Sequence, residues 1–500
     1  MTTIASSAPL QAGSSLGVFG ERVATAGFAL YAAFAPHSIA GAEIALAITG
    51  LGWALRTIAW RKTGFRRTPL DLPIWLFILW TISSSFLSEE PHISIAKLQS
   101  VCVFLLFYLT QAIFTRKNVI VLVCIMIVSG LSGTAYSIYD LLRGRGVVVE
   151  SMADDSPFAA SVTPGDAIWR VNGRRVYSRE AIDEAIKATP LGTSLTASII
   201  SRGEHVERTG SVVTDHLKSS ASPSGITGES RSHHFRASGW TRHYETYSEI
   251  LQIIAQLALG LALANFRNYG PNLRFKLAAA AAALLALGIA LTAMRTVLVA
   301  FVIGACVIGF RAARGWARAI VPATLLLVLA FGAFIVWQTR AEGALWLQDS
   351  SADLRTTVAK VGLSRIVLHP IFGHGMDAMH LHWNEWGFPG KDMLGMHSTP
   401  LQLAFDRGLP ALVFWLWIMV VFWRMTTRGE QKLRESGDTN AHGLLLGAKG
   451  AIVGFFLSSL VNYNFGDGEV ALMFWWLMGV VVALSYVASC PDAFRCAHSQ

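Results

Sequence analysis

The chain has 500 residues, of which 53% are hydrophobic and only 15% charged, with a formal net charge of +9. Soluble globular domains carry about 25% charged residues, so this composition, with a mean hydropathy of +0.46, excludes a wholly soluble protein. The basic excess does not indicate nucleic-acid binding, because Lys and Arg fall in short loops between apolar runs, which is the pattern of membrane topology.

A spanning helix needs about 20 mostly apolar residues. Runs of that kind occur near 22–37, 40–58, 72–88, 95–113 and 118–137, then near 246–265, 277–294, 296–310, 319–337, 408–425, 443–462 and 469–489. The fold class predicted is therefore an α-helical polytopic membrane protein of about twelve transmembrane helices by the hydropathy rule. The first twenty residues lack a basic n-region, so the first apolar segment is expected to remain as a helix. The 277–310 stretch holds a single charge, Arg295, and is too long for one span. Two helices meeting at Arg295 keep the basic clusters Arg267, Arg274, Lys276 and Arg311, Arg314, Arg318 on one side. Arg56, Arg61, Lys62, Arg66 and Arg67 fall on that side too, as do Arg116, Lys117 and the group Arg424, Arg428, Lys432, Arg434. The intervening short loops carry Glu89 and Glu90, or Asp467 and Glu469. Both termini are thus expected in the cytoplasm, with the insert 143–245 and the loop 338–407 on the opposite face.

The insert reads as soluble. Val147–Val149 and Leu195–Ile200 have strand character. Arg179–Ala188 reads as a helix with Ser178 as N-cap. Lys218 to Ser232 is Ser/Gly-rich without periodicity and reads as a flexible linker. The expected organisation is 1–142 with helices 1–5, 143–215 a small α+β domain, 216–245 linker and helix entry, and 246–500 with helices 6–12 and the large loop.

Chemistry concentrates in that loop, since structureless connections beyond about 12–15 residues are usually functional or disordered. It carries His369, His374, His380, His382 and His397. His380-Leu381-His382 raises a zinc reading. No cysteine joins these histidines, no HExxH is present, and Asp377 and Glu385 have no recognised ligand spacing, so metal is not expected. The five cysteines, Cys102, Cys124, Cys306, Cys490 and Cys496, form no CxxC pair. Arg295, a cation at a helix junction near lipid, is a functional candidate by default; the alternative is an interfacial side chain that snorkels.

Within the insert, Ser156-Pro157-Phe158-Ala159-Ala160, then Thr163-Pro164-Gly165-Asp166 and Val171-Asn172-Gly173, resemble a PDZ domain of the bacterial protease type. The resemblance implies an extended peptide or protein partner added at a sheet edge, with Gly144, Gly146, Val147 and Val149 as the peptide-binding residues. Gly144-Arg145-Gly146-Val147 departs from the usual carboxylate-holding loop. The alternative role is a rigid spacer or an intramolecular docking module.

The membrane part resembles the O-antigen ligase and polymerase superfamily, which includes protein O-oligosaccharyltransferases. The residues that carry this are Met396-His397-Ser398-Thr399-Pro400-Leu401-Gln402, Arg407-Gly408-Leu409-Pro410 read as a helix entry, and His369-Pro370-Ile371-Phe372-Gly373-His374-Gly375. Leu291-Thr292-Ala293-Met294-Arg295, Arg236-Ala237-Ser238-Gly239 and the Ser-rich Ser83–Pro91 add to it. Ser398 replaces the family's common Asn, Ala411 its second Gly and Met294 a Ser; the inserted domain is a further departure. The resemblance implies a GT-C-like fold and inverting transfer of a glycan from an undecaprenyl-diphosphate carrier to an acceptor hydroxyl on a lipid A core sugar or a polysaccharide. It implies no cofactor and metal-independent catalysis. His397 is then the general base. Arg295 faces the diphosphate, with Arg236, Arg242 and Arg355 as further diphosphate-binding candidates, because planar guanidinium forks pair with phosphate oxygens. The implied location is the bacterial inner membrane, with the insert and 338–407 periplasmic. Polymerisation and protein glycosylation remain open as sibling activities. A scaffold or a transporter is the competing class, the latter disfavoured by the lack of an inverted repeat.

Overall fold

The computed structural model describes residues 15–201, 204–231, 235–241, 243–313, 315, 318, 350–390 and 395–487. These residues form two compact units, one comprising residues up to 133, 240–290 and 294 onward, the other 134–239 with 291–293.

The first unit is helical. Its elements are α1 (Ser15–Phe34), α2 (Ile39–Trp60), α3 (Asp71–Leu87), α4 (Pro91–Ala96), a 3₁₀ segment Leu98–Phe104 running into α5 (Leu105–Ile113), and α6 (Arg116–Arg143), within which the chain passes to the second unit. It continues with α9 (Tyr244–Tyr269), α10 (Leu273–Leu291), α11 (Arg295–Ala312), α12 (Ser350–Leu368), α13 (Ala378–Leu381), α14 (Thr399–Glu435), α15 (Thr439–Ser459) and α16 (Gly468–Val487). Eight helices among the described residues are long and apolar enough to cross a membrane. Helices also cover the predicted runs at 22–37, 72–88 and 95–113, while the run at 319–337 lies outside the described residues. Two helices meeting at Arg295 are observed, with Ala293 between them in the left-handed region (φ 55°).

Small residues let the central helices approach. A Cβ on Gly260 of α9 would lie 2.3 Å from both Gly443 O and Gly447 N of α15. That close crossing is how helices associate where lipid removes the hydrophobic drive. The crossing leaves α9 and α15 largely buried, and α9 thereby carries Glu249, Gln252 and Gln256 into the interior. The buried Glu430 of α14 is satisfied by Lys449 Nζ at 3.0 Å, Arg311 Nη2 at 2.7 Å and His442 Nε2 at 3.3 Å. A charge so fully partnered ties α11, α14 and α15 together and needs no transport role.

The second unit holds a sheet of β1 (Val147–Met152), β2 (Ala167–Val171), β3 (Arg174–Arg175), β4 (Ser194–Ser201), β5 (Glu204–Val212) and β6 (Ile226–Arg231), with α7 (Arg179–Ala188) and α8 (Asp215–Ser219). The order is β5-β4-β2-β1-β6, and β3 pairs with β2. Alternation along β1 and β4, with a register irregularity between Ile168 and Arg170 in β2, places Val147, Val149, Ile168, Val171, Leu195 and Ile199 in one core with Phe158, Ile182 and Ile186. The α7 expectation holds to the residue, with Ser178 Oγ accepting from Ala181 N–H at 3.3 Å. The linker expectation does not. Residues 215–219 are helical and 226–231 form β6, paired antiparallel to β1. A Ser/Gly-rich segment lacks internal periodicity, yet an adjacent strand with an unfilled edge supplies the ladder bonds it needs.

The expectation of an open peptide edge at Gly144, Gly146, Val147 and Val149 is also corrected. Strand β1 is paired on both sides, by β2 and β6. Val147 and Val149 point into the core. Between Gly144 and Gly146, both in the left-handed region, Arg145 turns inward to an ion pair with Asp140 and lies 4.4 Å over the Phe235 ring.

Candidate active site

The site begins with a break in α14. Gly408 has φ 80° and ψ 170°, and Pro410 follows it. Arg407-Gly408-Leu409-Pro410 is therefore a kink inside a helix, and the helix entry is at Thr399. The sequence reading placed the entry nine residues late because Gly and Pro there signal a boundary; packing carries the helix across it. Pro410 has no N–H for Asp406 O, and Leu409 N–H donates instead to Pro370 O at 2.8 Å. The two carbonyls so released are used: Phe405 O accepts from His374 N–H at 2.8 Å and Asp406 O from Gly375 N–H at 3.0 Å. The His-Pro-Ile-Phe-Gly-His-Gly turn and the kink are thus one unit of structure. A Cβ on Gly408 would sit 1.8 Å from Ile371 O. Gly408→Ala is therefore expected to cost about 1–3 kcal/mol for the strained backbone alone, with the clash in addition. It should lower the midpoint of thermal unfolding and the yield of folded protein, both readable by fluorescence-detected chromatography.

His397 sits before this helix, itself left-handed (φ 48°), a conformation that non-glycine residues seldom hold without external constraint. The constraint is visible. Met396 N–H donates to Gln402 Oε1 at 2.8 Å, and Gln402 Nε2 donates to Asp406 Oδ1 at 2.9 Å. Thr399 Oγ1 donates to Asn464 Oδ1 at 3.0 Å, and Asn462 Nδ2 to Glu249 Oε1 of α9 at 2.9 Å. The histidine turn is braced from its own helix, from the 462–464 turn and from α9.

His397 lines a cavity of about 940 Å³. Around it stand Lys97, His243, His380 and Arg407, with Glu245, Glu249, Asp377, Asp406, Asp467 and Tyr463. Asp377 is held between Lys97 Nζ at 2.7 Å and His380 Nε2 at 3.4 Å. Burial pushes the Tyr463 hydroxyl above its ordinary value, so it stays protonated, a donor as well as an acceptor. Arg407 is buried; its Nε has no hydrogen-bond partner among the described residues, and its guanidinium lies 5.6 Å over the Phe77 ring. Trp80 Nε1–H donates to the Arg407 carbonyl at 2.9 Å, fixing the backbone beneath the side chain. An incompletely satisfied buried cation at a cavity wall suits an anionic group.

Of the other predicted residues, Arg295 is the exposed first residue of α11 and Arg355 lies on α12, its Nε buried without a hydrogen-bond partner among the described residues. Neither is among the cavity's lining residues. Arg236 belongs to the second unit, where the neighbouring Ala237 N–H donates to Leu291 O at 3.0 Å, four residues before Arg295 in the chain. Arg242 lies outside the described residues. Arg407, Glu249 and Asp467 were not read as site residues. The available signal was a charged pair, Asp406-Arg407, in an otherwise apolar stretch, and acidic residues at the start of an apolar helix.

The two loop histidines of His380-Leu381-His382 do not converge. His382 pairs with Glu90 at 2.8 Å and Glu385 at 2.7 Å and stacks on Trp386. Glu385, together with Glu90, raises His382 above the ordinary histidine value. A different trio, Glu89, His369 and His374, brings one ligand atom from each within 4.8 Å of the others. There, His374 Nδ1 already contacts Glu89, and its Nε2 bonds Arg365 O at 3.0 Å. Through these contacts His374 staples the loop to residues after α3.

Residues 280–416 match the family described as O-antigen ligase. The matched span holds Arg295, Arg355, His397, Arg407 and the Gly408 kink. With the eight apolar helices, it supports a membrane enzyme of the O-antigen ligase and polymerase type. No curated protein matches the chain.

Proposed function

We propose that this protein is a glycosyltransferase of the bacterial inner membrane that moves a glycan from undecaprenyl diphosphate to a hydroxyl of an acceptor, the lipid A core sugar being the first choice. The observation that carries this reading is His397 and Arg407 on the walls of one cavity. The acceptor oxygen attacks the anomeric carbon, the bond from that carbon to the diphosphate oxygen breaks, and the diphosphate leaves with the electron pair. His397 accepts the hydroxyl proton. Arg407 meets negative charge growing on the leaving oxygens, the task of a preorganised cation in a site that excludes water. Arg295, Arg236, Arg242 and Arg355 are offered for the diphosphate on the family resemblance and guanidinium chemistry alone. Attack opposite the leaving group inverts the anomeric centre. No metal or cofactor is invoked, since arginine charge replaces the cation.

The loops at 89–97, 243–249, 376–407 and 462–468 all contribute to the cavity or its bracing. Loop charge assigns these same loops to the extracytoplasmic face, which supports a periplasmic active site, cytoplasmic termini and twelve spans. The 143–215 segment is read as a PDZ-like domain on that face. Deletion of the gene, followed by glycan analysis, tests the activity. Loss of long glycan from lipid A core with full-length donor accumulating supports ligation. Accumulation of single repeat units means polymerisation, glycan loss confined to proteins means a protein acceptor, and unchanged glycans in all fractions overturn the transferase reading in favour of a scaffold or transporter.

A further inference from the structure

Outside the cavity, the side chains of Glu89, His369 and His374 converge. Glu89 follows α3 by two residues, His369 follows α12 by one, and His374 lies in the turn after it. Each offers one ligand atom, and the three atoms lie within 4.8 Å of one another. The backbone prepares this arrangement. Gly373 N–H donates to His369 O at 3.0 Å and closes the turn, and Glu90 N–H donates to His374 O at 3.0 Å, which holds the segment after α3 alongside it.

The ring of His374 is fixed as a metal ligand's is. It stacks on Phe405 at 4.5 Å between centroids, meets Trp386 at 4.8 Å, and is 1% exposed. Its Nε2 lies 3.0 Å from Arg365 O. A carbonyl only accepts, so Nε2 carries the hydrogen and Nδ1 is the nitrogen directed at the Glu89 carboxylate. Metal-bound histidines characteristically give their other ring N–H to a carbonyl or carboxylate, which sets the tautomer and raises the basicity of the ligating nitrogen. A bare Nδ1 would set its lone pair against the carboxylate, so a positive centre, a proton or a metal ion, belongs between them. His369 distinguishes the two. Its Nε2 is 3.6 Å from the same Glu89 oxygen, beyond hydrogen-bond length. Two ligand atoms on one tetrahedral zinc are about 3.3 Å apart. The Glu89 and His369 side chains are 37% and 42% exposed, which gives an ion a way in and lets the carboxylate swing to meet both rings.

We propose that Glu89, His369 and His374 form a binding site for a Zn²⁺ ion, with water in the remaining position. Two imidazoles and a carboxylate favour zinc over Mg²⁺ and Ca²⁺, which take oxygen ligands. The His380-Leu381-His382 pair has no part in it, since His382 is engaged by Glu90 and Glu385. None of the three ligands lines the cavity, so the ion takes no part in glycan transfer and the proposal is independent of that reading. Its effect is structural. The N–H groups of His374 and Gly375 occupy the carbonyls released at the Gly408 kink. An ion on His374 ties that turn to the end of α3 and thereby braces the kink.

The test uses full-length protein in detergent, freed of purification tags and stripped of metal with a chelator that is then removed. Calorimetric titration with zinc chloride is expected to show one site per chain. His369→Ala leaves the His374–Glu89 contact and should weaken that site at least about tenfold, since losing even an outer partner of a metal ligand costs that much. His382→Ala should leave it unchanged. Zinc should raise the thermal midpoint of wild type and not of His369→Ala. Cobalt(II) should give visible absorption bands without thiolate charge transfer, again lost in His369→Ala. Absence of one-site binding by wild type overturns the proposal, as does a folded His369→Ala protein with wild-type affinity. Equal weakening by His382→Ala places the ion elsewhere and overturns it too. If the metal-free His369→Ala protein fails to fold, His369→Gln, which keeps a polar side chain without the imidazole, decides by the same criterion.

Discussion

A chain carrying His397→Asn is expected to lose glycan transfer by about 10²–10⁴-fold, the usual contribution of a positioned general base, while reaching the membrane at wild-type levels. Asparagine is the informative replacement because His397 is left-handed, and Asn tolerates that conformation better than Ala does. The variant removes the proton acceptor and keeps the turn. The bracing from Met396, Gln402 and Thr399 runs through backbone and neighbouring side chains, so it survives the change. Transfer measured in membranes with a polyprenyl-diphosphate glycan, beside protein level and thermal midpoint, separates the two effects. Full transfer by a folded His397→Asn protein would remove histidine from the chemistry.

Replacing Arg407 by Met should likewise separate stability from activity. Met is close in length and apolar, so it fills the space over Phe77. A buried guanidinium whose Nε has no hydrogen-bond partner among the described residues is costly to hold in the folded protein. The thermal midpoint should stay level or rise. Transfer should fall by about 10²–10³-fold, as when one preorganised donor to developing charge is removed, and Arg407→Lys should recover part of it as a point charge without the planar fork. A structural role for Arg407 predicts the reverse, a lowered midpoint with activity falling in proportion to folded protein.

Much of the membrane architecture was legible in the sequence because its signal is local. A run of apolar residues must span, and Arg295 divides one such run because a single helix of that length exceeds the bilayer. The α7 helix and its Ser178 cap were legible for the same reason. The site was legible in part. His397 stood out through a resemblance in the loop around it. Arg407 did not, although it is ten residues away in the same helix-entry pattern, because its importance depends on a kink that turns it toward the cavity.

Composition and periodicity by themselves determined that this chain is a membrane protein with an inserted α+β domain, and they identified the loop that carries the histidines. Tertiary structure decided three further things. It joined the His369–Gly375 turn to the Gly408 kink, because carbonyls released by Gly408 and Pro410 required donors from elsewhere. It gathered His397, Arg407, Lys97 and the acidic residues of α9 and 467 around one cavity. It turned a Ser/Gly-rich linker into β6, because β1 offered unpaired backbone groups and a socket for Ile226. In each case the deciding partner is remote in sequence, and hydrogen-bond demand, which no local pattern records, selects it.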